Sequence, residues 1–474
     1  MLRKLIVFLV LITSLFSFTS CRSKTPDAPK ELFDGIVLNY YKMYDDADFI
    51  QPFISEYEAS HPGLKINYRQ FLNFDDYLEL IINKMAEGGG PDIFSMQNTW
   101  FYTNYKKLTP LPKEQATVED YDKVFVDVAS KDLVRTDQDG VKQVFGVPMT
   151  IDTLALYYNK DHFSDKLASK GRPSETWSEL MDDVAKLTEV DNSFSRFKVS
   201  GIALGRADNV NRAVDVYYLL LLQYGVDFYN DLMSKVIFAE NQQGVVDNAA
   251  LSALDIILSF SDENNKNYSW NEYINTDIDN YREIDAFVRG DVSMIIGYAF
   301  TYDEIMDRIN VLSSRGENTI SKDAVKTSLM PQLSSEFTSK QKRTAYASYF
   351  AETVSRNSKY PDIAWDFLIF LVNKENQQKY FAFSHNPTSR RDLIKTQSND
   401  PIYGVFAKQI GFAESFPVVD YFSYKSVFSK LIDDSADGGD RINLIRKAKD
   451  SIQTFLPSEG YYIPELINKD DEKI

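Results

Sequence analysis

GIVLNY (35–40), LKINY (64–68) and PDIFSM (91–96) are three short apolar strand patterns, and two stretches of helical spacing separate them. The first helix, 47–60, opens behind Asp45, Asp46 and Asp48, whose charges suit the positive end of the helix dipole. The second, about 74–85, starts at Asp75 and Asp76 and stops before Gly88-Gly89-Gly90. Strand, helix, strand, helix, strand is the pattern of a parallel α/β unit. In open sheets of this kind the ligand binds outside the carboxyl ends of the strands. Those ends here are 43–46, 71–73 and 97–100.

The alternation continues downstream. TLALYY (153–158) reads as a buried strand. Thr176-Trp177-Ser178-Glu179 has the capping-box spacing before an amphipathic helix to Leu187. Residues 201–204 and 292–296 read as strands, and 211–224, 249–260 and 362–372 as helices. No fixed-period repeat occurs.

Composition excludes several functions. The net charge is −17, and a surface this acidic repels phosphate backbones, so nucleic acid is not an expected partner. Histidine occurs only at 61, 162 and 385, far apart, and the one cysteine is Cys21. No Cys/His metal site is therefore expected, nor a thiol nucleophile, and no cofactor motif is present. The 32 Phe, 29 Tyr and 4 Trp exceed ordinary use, and tyrosine suits polyhydroxylated ligands as well as cores.

Cys21 follows a basic start (Arg3, Lys4), an apolar run over 5–18 and small Thr19-Ser20. That order is a secretory signal, too short for a membrane span. It resembles a lipoprotein signal, in which the cysteine becomes the acylated first residue. The expected organisation is a signal over 1–21 and a polar tether over 22–35, the protein being held at the extracytoplasmic face of a membrane.

Six further segments, in order, resemble the extracellular sugar-binding proteins of bacterial ABC importers, the family of the maltose-binding protein. They are GGGPDIF (88–94), GVPMTIDTLALYYNKDHF (146–163), PSETWSELMDDVAKLT (173–188), AFVRGDVSMIIGYAF (286–300), SRNSKYPDIAWDFLIFLVNKENQQKYF (355–381) and NPTSRRDL (386–393). The resemblance implies a two-lobed α/β fold of the periplasmic-binding-protein type, joined by crossing strands. It implies a monomer that closes on a carbohydrate and delivers it to importer membrane subunits, without catalysis. The first lobe is expected to take 36–149 plus 301–350, and the second 150–299 plus 351–474.

The same resemblance marks ligand positions. Asp152 either accepts sugar hydroxyls near the hinge or caps its own turn. Asn98, Thr99 and Trp100 stand at the ligand edge, where Trp100 either stacks on a ring or covers the lobe. Asp45 and Asp46 reach the ligand or serve the next helix. Arg206 and Asp208 are contacts or a surface pair, and Arg390 faces the cleft or makes an ion pair. Relatives have Gly-x-Trp where this chain has Gly297-Tyr298-Ala299-Phe300, so Tyr298 or Phe300 stands in for the missing ring. Two other readings stay open. The 69 acidic residues allow a carboxylate pair for glycoside hydrolysis, and an acidic aromatic cleft suits a polyamine.

The anchor is directly testable. Cys21→Ser is expected to move the protein from the membrane fraction to the soluble fraction and to remove the acyl mass. Retention after carbonate washing, at unchanged mass, excludes lipidation at this cysteine.

Overall fold

A computed structural model describes residues 33–137, 139–190, 197–272, 282–337, 340–458 and 460. Cys21, the signal and most of the tether lie outside the described residues. The expected alternation is present: β1 (Val37–Met43), α1 (Ala47–Ser60), β2 (Lys65–Phe71), α2 (Phe74–Ala86) and β3 (Ile93–Gln97). Asp46 caps α1 by accepting the Asp48 N–H at 2.8 Å. Past α2, Gly88 adopts a φ of +76°, a conformation that glycine takes without steric penalty.

The chain continues through β4 (Gly146–Pro148), β5 (Asp152–Thr153), β6 (Ala155–Asn159), α3 (Ala213–Gln223), β7 (Met294–Gly297), α4 (Thr301–Ser314), β8 (Val325–Ser328), β9 (Ala345–Ser348), β10 (Phe350–Val354), α5 (Pro361–Leu371), α6 (Lys374–Ser384), β11 (Ala413–Glu414) and α7 (Tyr421–Ala436), with shorter elements between. Three sheets matter here. The first has the order β2-β1-β3-β10-β4, parallel among β2, β1 and β3 and antiparallel at β10. The second is the antiparallel β7-β6-β8. The third, β11-β9-β5, is built from the segments that pass between the other two.

Two apolar cores lie on either side of that third sheet. Tyr40, Ile54, Tyr57, Phe94, Trp365 and Leu368 are buried in the first. Tyr157, Trp177, Tyr217, Leu220, Phe287 and Phe428 are buried in the second.

The packing divides the chain differently from the expected boundaries. Within 301–350, α4 buries Ile305, Ile309 and Leu312 in the second core, and β8 pairs with β6 there. Within 351–474, α5 and α6 place Trp365, Phe367 and Tyr380 in the first core. The reason is strand register: the chain crosses at β9, β10 fills the gap between β3 and β4, and after α6 the chain reaches the second core at Tyr403 and Phe406 before pairing with β9 through β11. Residues 201–204 are buried but form no regular strand; Ala203 N–H donates to Met294 O at 3.0 Å alongside β7.

The crossing segments converge on one carboxylate. Asp132, in the short helix Asp127–Leu133, is buried. It accepts from Asn98 Nδ2 at 2.9 Å, the Tyr349 hydroxyl at 2.8 Å and the Ser415 hydroxyl at 2.6 Å. Those donors come from the end of β3, the β9–β10 junction and the segment after β11. Burial pushes the Asp132 carboxyl above its ordinary range, and the Ser415, Asn98 and Tyr349 hydrogen bonds pull the other way. Asp132→Ala leaves three donors without their acceptor, at about 1–3 kcal/mol each, so a loss of roughly 3 kcal/mol or more is expected. The check is a urea midpoint measured at unchanged m-value, with Asp132→Asn, which keeps one acceptor, falling between the two.

Candidate functional site

A cavity of about 530 Å3, its solvent-open mouth included, lies between the two cores. The first lobe contributes Gln97, the last residue of β3, and Thr99 just beyond it. The crossing strand β9 contributes Tyr346 and Ser348. The second lobe contributes Asn211, Arg212, Asp215 and Tyr218 at the start of α3, Tyr298 after β7, and Val418, Tyr421 and Lys425 around the start of α7. The wall is thus made of helix starts and strand ends from both lobes.

Several of these groups hold unspent hydrogen-bonding capacity. Gln97 is 7 % exposed and donates its amide to Ser348 Oγ at 3.3 Å, but its Oε1 has no partner among the described residues. Thr99 is 3 % exposed and its hydroxyl likewise has none. Arg212 lies over the rings of Tyr298 and Phe300, at 5.1 and 5.4 Å from their centres. Its nearest ion-pair contact is Asp215 Oδ2 at 3.8 Å, too long for a hydrogen bond. Asp215 accepts from the Tyr298 hydroxyl at 3.2 Å. Buried orphan polar atoms are uncommon because each costs free energy. Two of those among the described residues, Gln97 Oε1 and the Thr99 hydroxyl, line this cavity, where a polar group entering from outside can meet them.

Charges around Arg212 are mutually dependent. Burial raises the Asp215 carboxyl, and Arg212 and Lys425 oppose that rise. Glu283 and Glu304 are also raised by burial and moderated by Arg212. Burial works against the Arg212 charge, but Asp215 leads the groups that hold its pKa above the ordinary value. The guanidinium therefore stays charged.

The residues marked in the sequence scatter over several roles. Thr99 and Tyr298 line the cavity, and Phe300 supports Arg212. Trp100 is buried against Phe74, with ring centres 4.5 Å apart, and Asn98 is spent on Asp132 and on the Tyr349 N–H. Asp45 accepts from the Tyr380 hydroxyl at 2.6 Å, and Asp46 is the helix cap described above. Arg206 pairs with Asp208 and Asp437, both at 2.9 Å, and Arg390 with Asp392 at 3.0 Å. These pairs lie away from the cavity wall. The sequence reading missed Arg212, Asp215, Tyr218, Tyr346, Tyr421 and Lys425. One signal was available: Asp215 is the single charge in AVDVYYLLLLQ, and a lone carboxylate in an apolar helix asks for a reason.

Asp152 lies in the crossing strand β5, outside the cavity lining. Its carboxylate oxygens accept the Ala299 N–H at 2.9 and 3.0 Å, and Oδ1 accepts its neighbour Thr153 N–H at 2.8 Å. It ties β5 to the loop that presents Tyr298 and Phe300. Burial pushes the carboxyl up to about 7, against the Ala299 and Thr153 N–H groups and the Arg212 charge. An unfolded aspartate titrates near ~3.9, so between about 4 and 7 the folded chain holds a proton that the unfolded chain has released. This group's contribution to stability therefore falls as pH rises through that window. Asp152→Asn keeps an acceptor oxygen and cannot ionise. Its ligand-free melting temperature, relative to the parent, is expected to be higher at pH 8 than at pH 5; equal differences at both would put the carboxylate in water.

Among the described residues, no helix is long and apolar enough to cross a membrane, and no cluster of three or more His, Cys, Asp or Glu is placed to hold a metal ion. The fold is shared widely. The sugar-binding protein MalE of Xanthomonas citri superposes with a TM-score of 0.68 at 16% identity, covering 88% of this chain and 97% of that one. A solute-binding protein of Thermotoga lettingae, bound with alpha-D-tagatose, gives 0.63 at 18% identity over 89% and 99%. An ABC substrate-binding protein of Listeria monocytogenes, in complex with cycloalternan, gives 0.65 at 15% over 89% and 99%. In sequence, a binding protein of Brucella abortus is 22% identical over 325 residues, 68% of each chain. The family model for bacterial extracellular solute-binding proteins matches residues 43–378. With its two cores, crossing strands and intervening cavity, the chain belongs to the bacterial extracellular solute-binding protein family.

Proposed function

We propose that this protein captures a carbohydrate in the cavity between its lobes and delivers it, unchanged, to an ABC importer. The observation that carries the reading is the set of polar groups facing the cavity from both lobes: the unpartnered Gln97 Oε1 and Thr99 hydroxyl on one side, the charged Arg212 guanidinium and Asp215 on the other. Sugar hydroxyls both donate and accept, so one ring satisfies all of these groups together. Tyr218, Tyr298, Tyr346 and Tyr421 supply ring surface for the C–H faces. A ligand that touches both walls favours the closed arrangement over the open one. The sugars named with the structural neighbours support the same class.

Two alternatives fit this cavity less well. A polyamine meets two cations, Arg212 and Lys425, in the wall. A glycosidase needs two carboxylates about 5–10 Å apart across the bond, and Asp215 is the one carboxylate in the described lining. Lipidation at Cys21 and action as a monomer at the membrane surface complete the proposal. They rest on the signal pattern and on the resemblance.

The test joins three measurements on one preparation. A saccharide panel is expected to contain a binder that raises the melting temperature, is recovered chemically intact and reduces the radius of gyration in solution scattering. Arg212→Ala is expected to weaken that binder by about tenfold or more, since a lost hydrogen bond to a charged group costs roughly 1.5–3 kcal/mol. Steady product release, or a binder indifferent to Arg212, overturns the reading.

A further inference from the structure

Arginines that the fold largely withdraws from water spend their donors inside the chain. Arg135 donates to the carbonyls of Lys131, Val134 and Asp132 at 3.0, 2.6 and 2.7 Å. Arg308 donates to Asp285, with Nη2 at 2.8 Å from Oδ2. Arg206 pairs with Asp208 and Asp437, and Arg390 with Asp392 and the Val372 carbonyl. Arg212 departs from this pattern. Its side chain is 25 % exposed, its nearest ion-pair contact is the 3.8 Å approach to Asp215, and its guanidinium donates to no acceptor among the described residues. Rings hold it instead: Tyr298 and Phe300, themselves stacked with centres 5.9 Å apart, both carry the cation over their faces. A half-buried guanidinium in this position is costly until an acceptor reaches it.

Lys425 on α7 brings a second cation to the same wall, and it makes no ion pair among the described residues. Asp215 is the one acid in the described lining. Asp152, Glu283 and Glu304 feel the Arg212 charge from outside that lining, and burial pushes all four carboxyls toward their uncharged forms. The second-lobe wall is thus cationic in a chain whose net charge is −17. The first-lobe wall differs in kind. The Gln97 amide is spent on Ser348, which leaves Oε1 as an acceptor, and the Thr99 hydroxyl beside it donates or accepts. A ligand that meets both walls therefore offers hydroxyl donors to the first lobe and anionic oxygens to the second. The planar guanidinium fork matches a carboxylate through two parallel hydrogen bonds. Two cations against one acid leave a single positive charge, which suits a monoanion.

We propose that the solute is a sugar acid, its carboxylate received by Arg212 and Lys425 while its hydroxyls meet Gln97 and Thr99. The inference rests on the carbohydrate reading above, and the experiment separates the two. Affinities of the full chain are measured by calorimetry for glucuronic, galacturonic, mannuronic and guluronic acids and their short oligomers. Each is set beside its neutral counterpart and beside the sulfated and phosphorylated neutral sugars. One uronic series is expected to bind about tenfold or more tightly than its neutral counterpart, since charge-assisted pairs are the strong hydrogen bonds. Arg212→Gln is expected to abolish that preference, and Arg212→Lys, which keeps the charge without the fork, to restore part of it. Lys425→Gln changes an exposed side chain and is expected to reduce the preference about two- to fivefold with ligand-free melting unchanged. A neutral sugar bound as tightly as its acid, or an acid preference that survives both glutamine substitutions, overturns the inference and leaves the carbohydrate reading standing. A sulfated or phosphorylated sugar bound more tightly than any uronic acid overturns the carboxylate assignment. Binding of no saccharide, acidic or neutral, overturns both readings.

Discussion

The two lobes are covalently joined only through a narrow set of crossing segments, so their relation depends on what holds those segments in register. A buried carboxylate does this. Asp132 draws in Asn98, Tyr349 and Ser415 from three separate stretches of chain. A carboxylate taken out of water is costly unless its oxygens are hydrogen-bonded, and here donors from each stretch supply the bonds. The arrangement is directional in a way that apolar packing is not: moving any one segment leaves a donor or an oxygen unpaired. Asp152 acts similarly at β5, where it fixes the loop carrying Tyr298 and Phe300.

That framework explains why the cavity wall retains unsatisfied groups. The crossing segments are rich in hydrogen bonds, whereas Gln97 and Thr99, on either side of Asn98, each keep an atom without a partner among the described residues. Rigid surroundings hold these groups in place without supplying them partners. Pre-organisation of this kind lowers the cost of ordering the site when a ligand arrives. Arg212 stacks on Tyr298 and Phe300 and turns an apolar platform into a donor surface.

The large aromatic content serves three distinct ends. Tyr40, Tyr57, Phe94, Tyr217 and Phe428 fill the cores. Tyr218, Tyr298, Tyr346 and Tyr421 face the cavity. Tyr44, Phe350 and Phe74 run along the first lobe's edge and meet Phe422 on α7 of the second lobe. Composition cannot separate these groups, because each is an aromatic residue next to a strand end or on a helix face.

By itself the sequence determined what depends on neighbouring residues. The period of apolar positions over 36–96 dictated the parallel unit and its ligand edge, and Asp46 caps its helix because capping is a contact two residues long. Ordered segments from 88 to 393 were enough to expect the two-lobed family. Tertiary structure decided whatever joins residues far apart in the chain. The lobe boundaries followed from β10 filling the first sheet, a pairing between residues more than 250 positions apart. Asn98 and Trp100 follow β3 directly, yet partners elsewhere in the chain claim both. Arg212 and Asp215 become cavity residues only because α3 brings its first turn against Tyr298 after β7 and the start of α7. Local patterns set where the ligand edge lies; which side chains at that edge keep free bonding capacity is settled by long-range packing, which spends some polar groups and leaves others open.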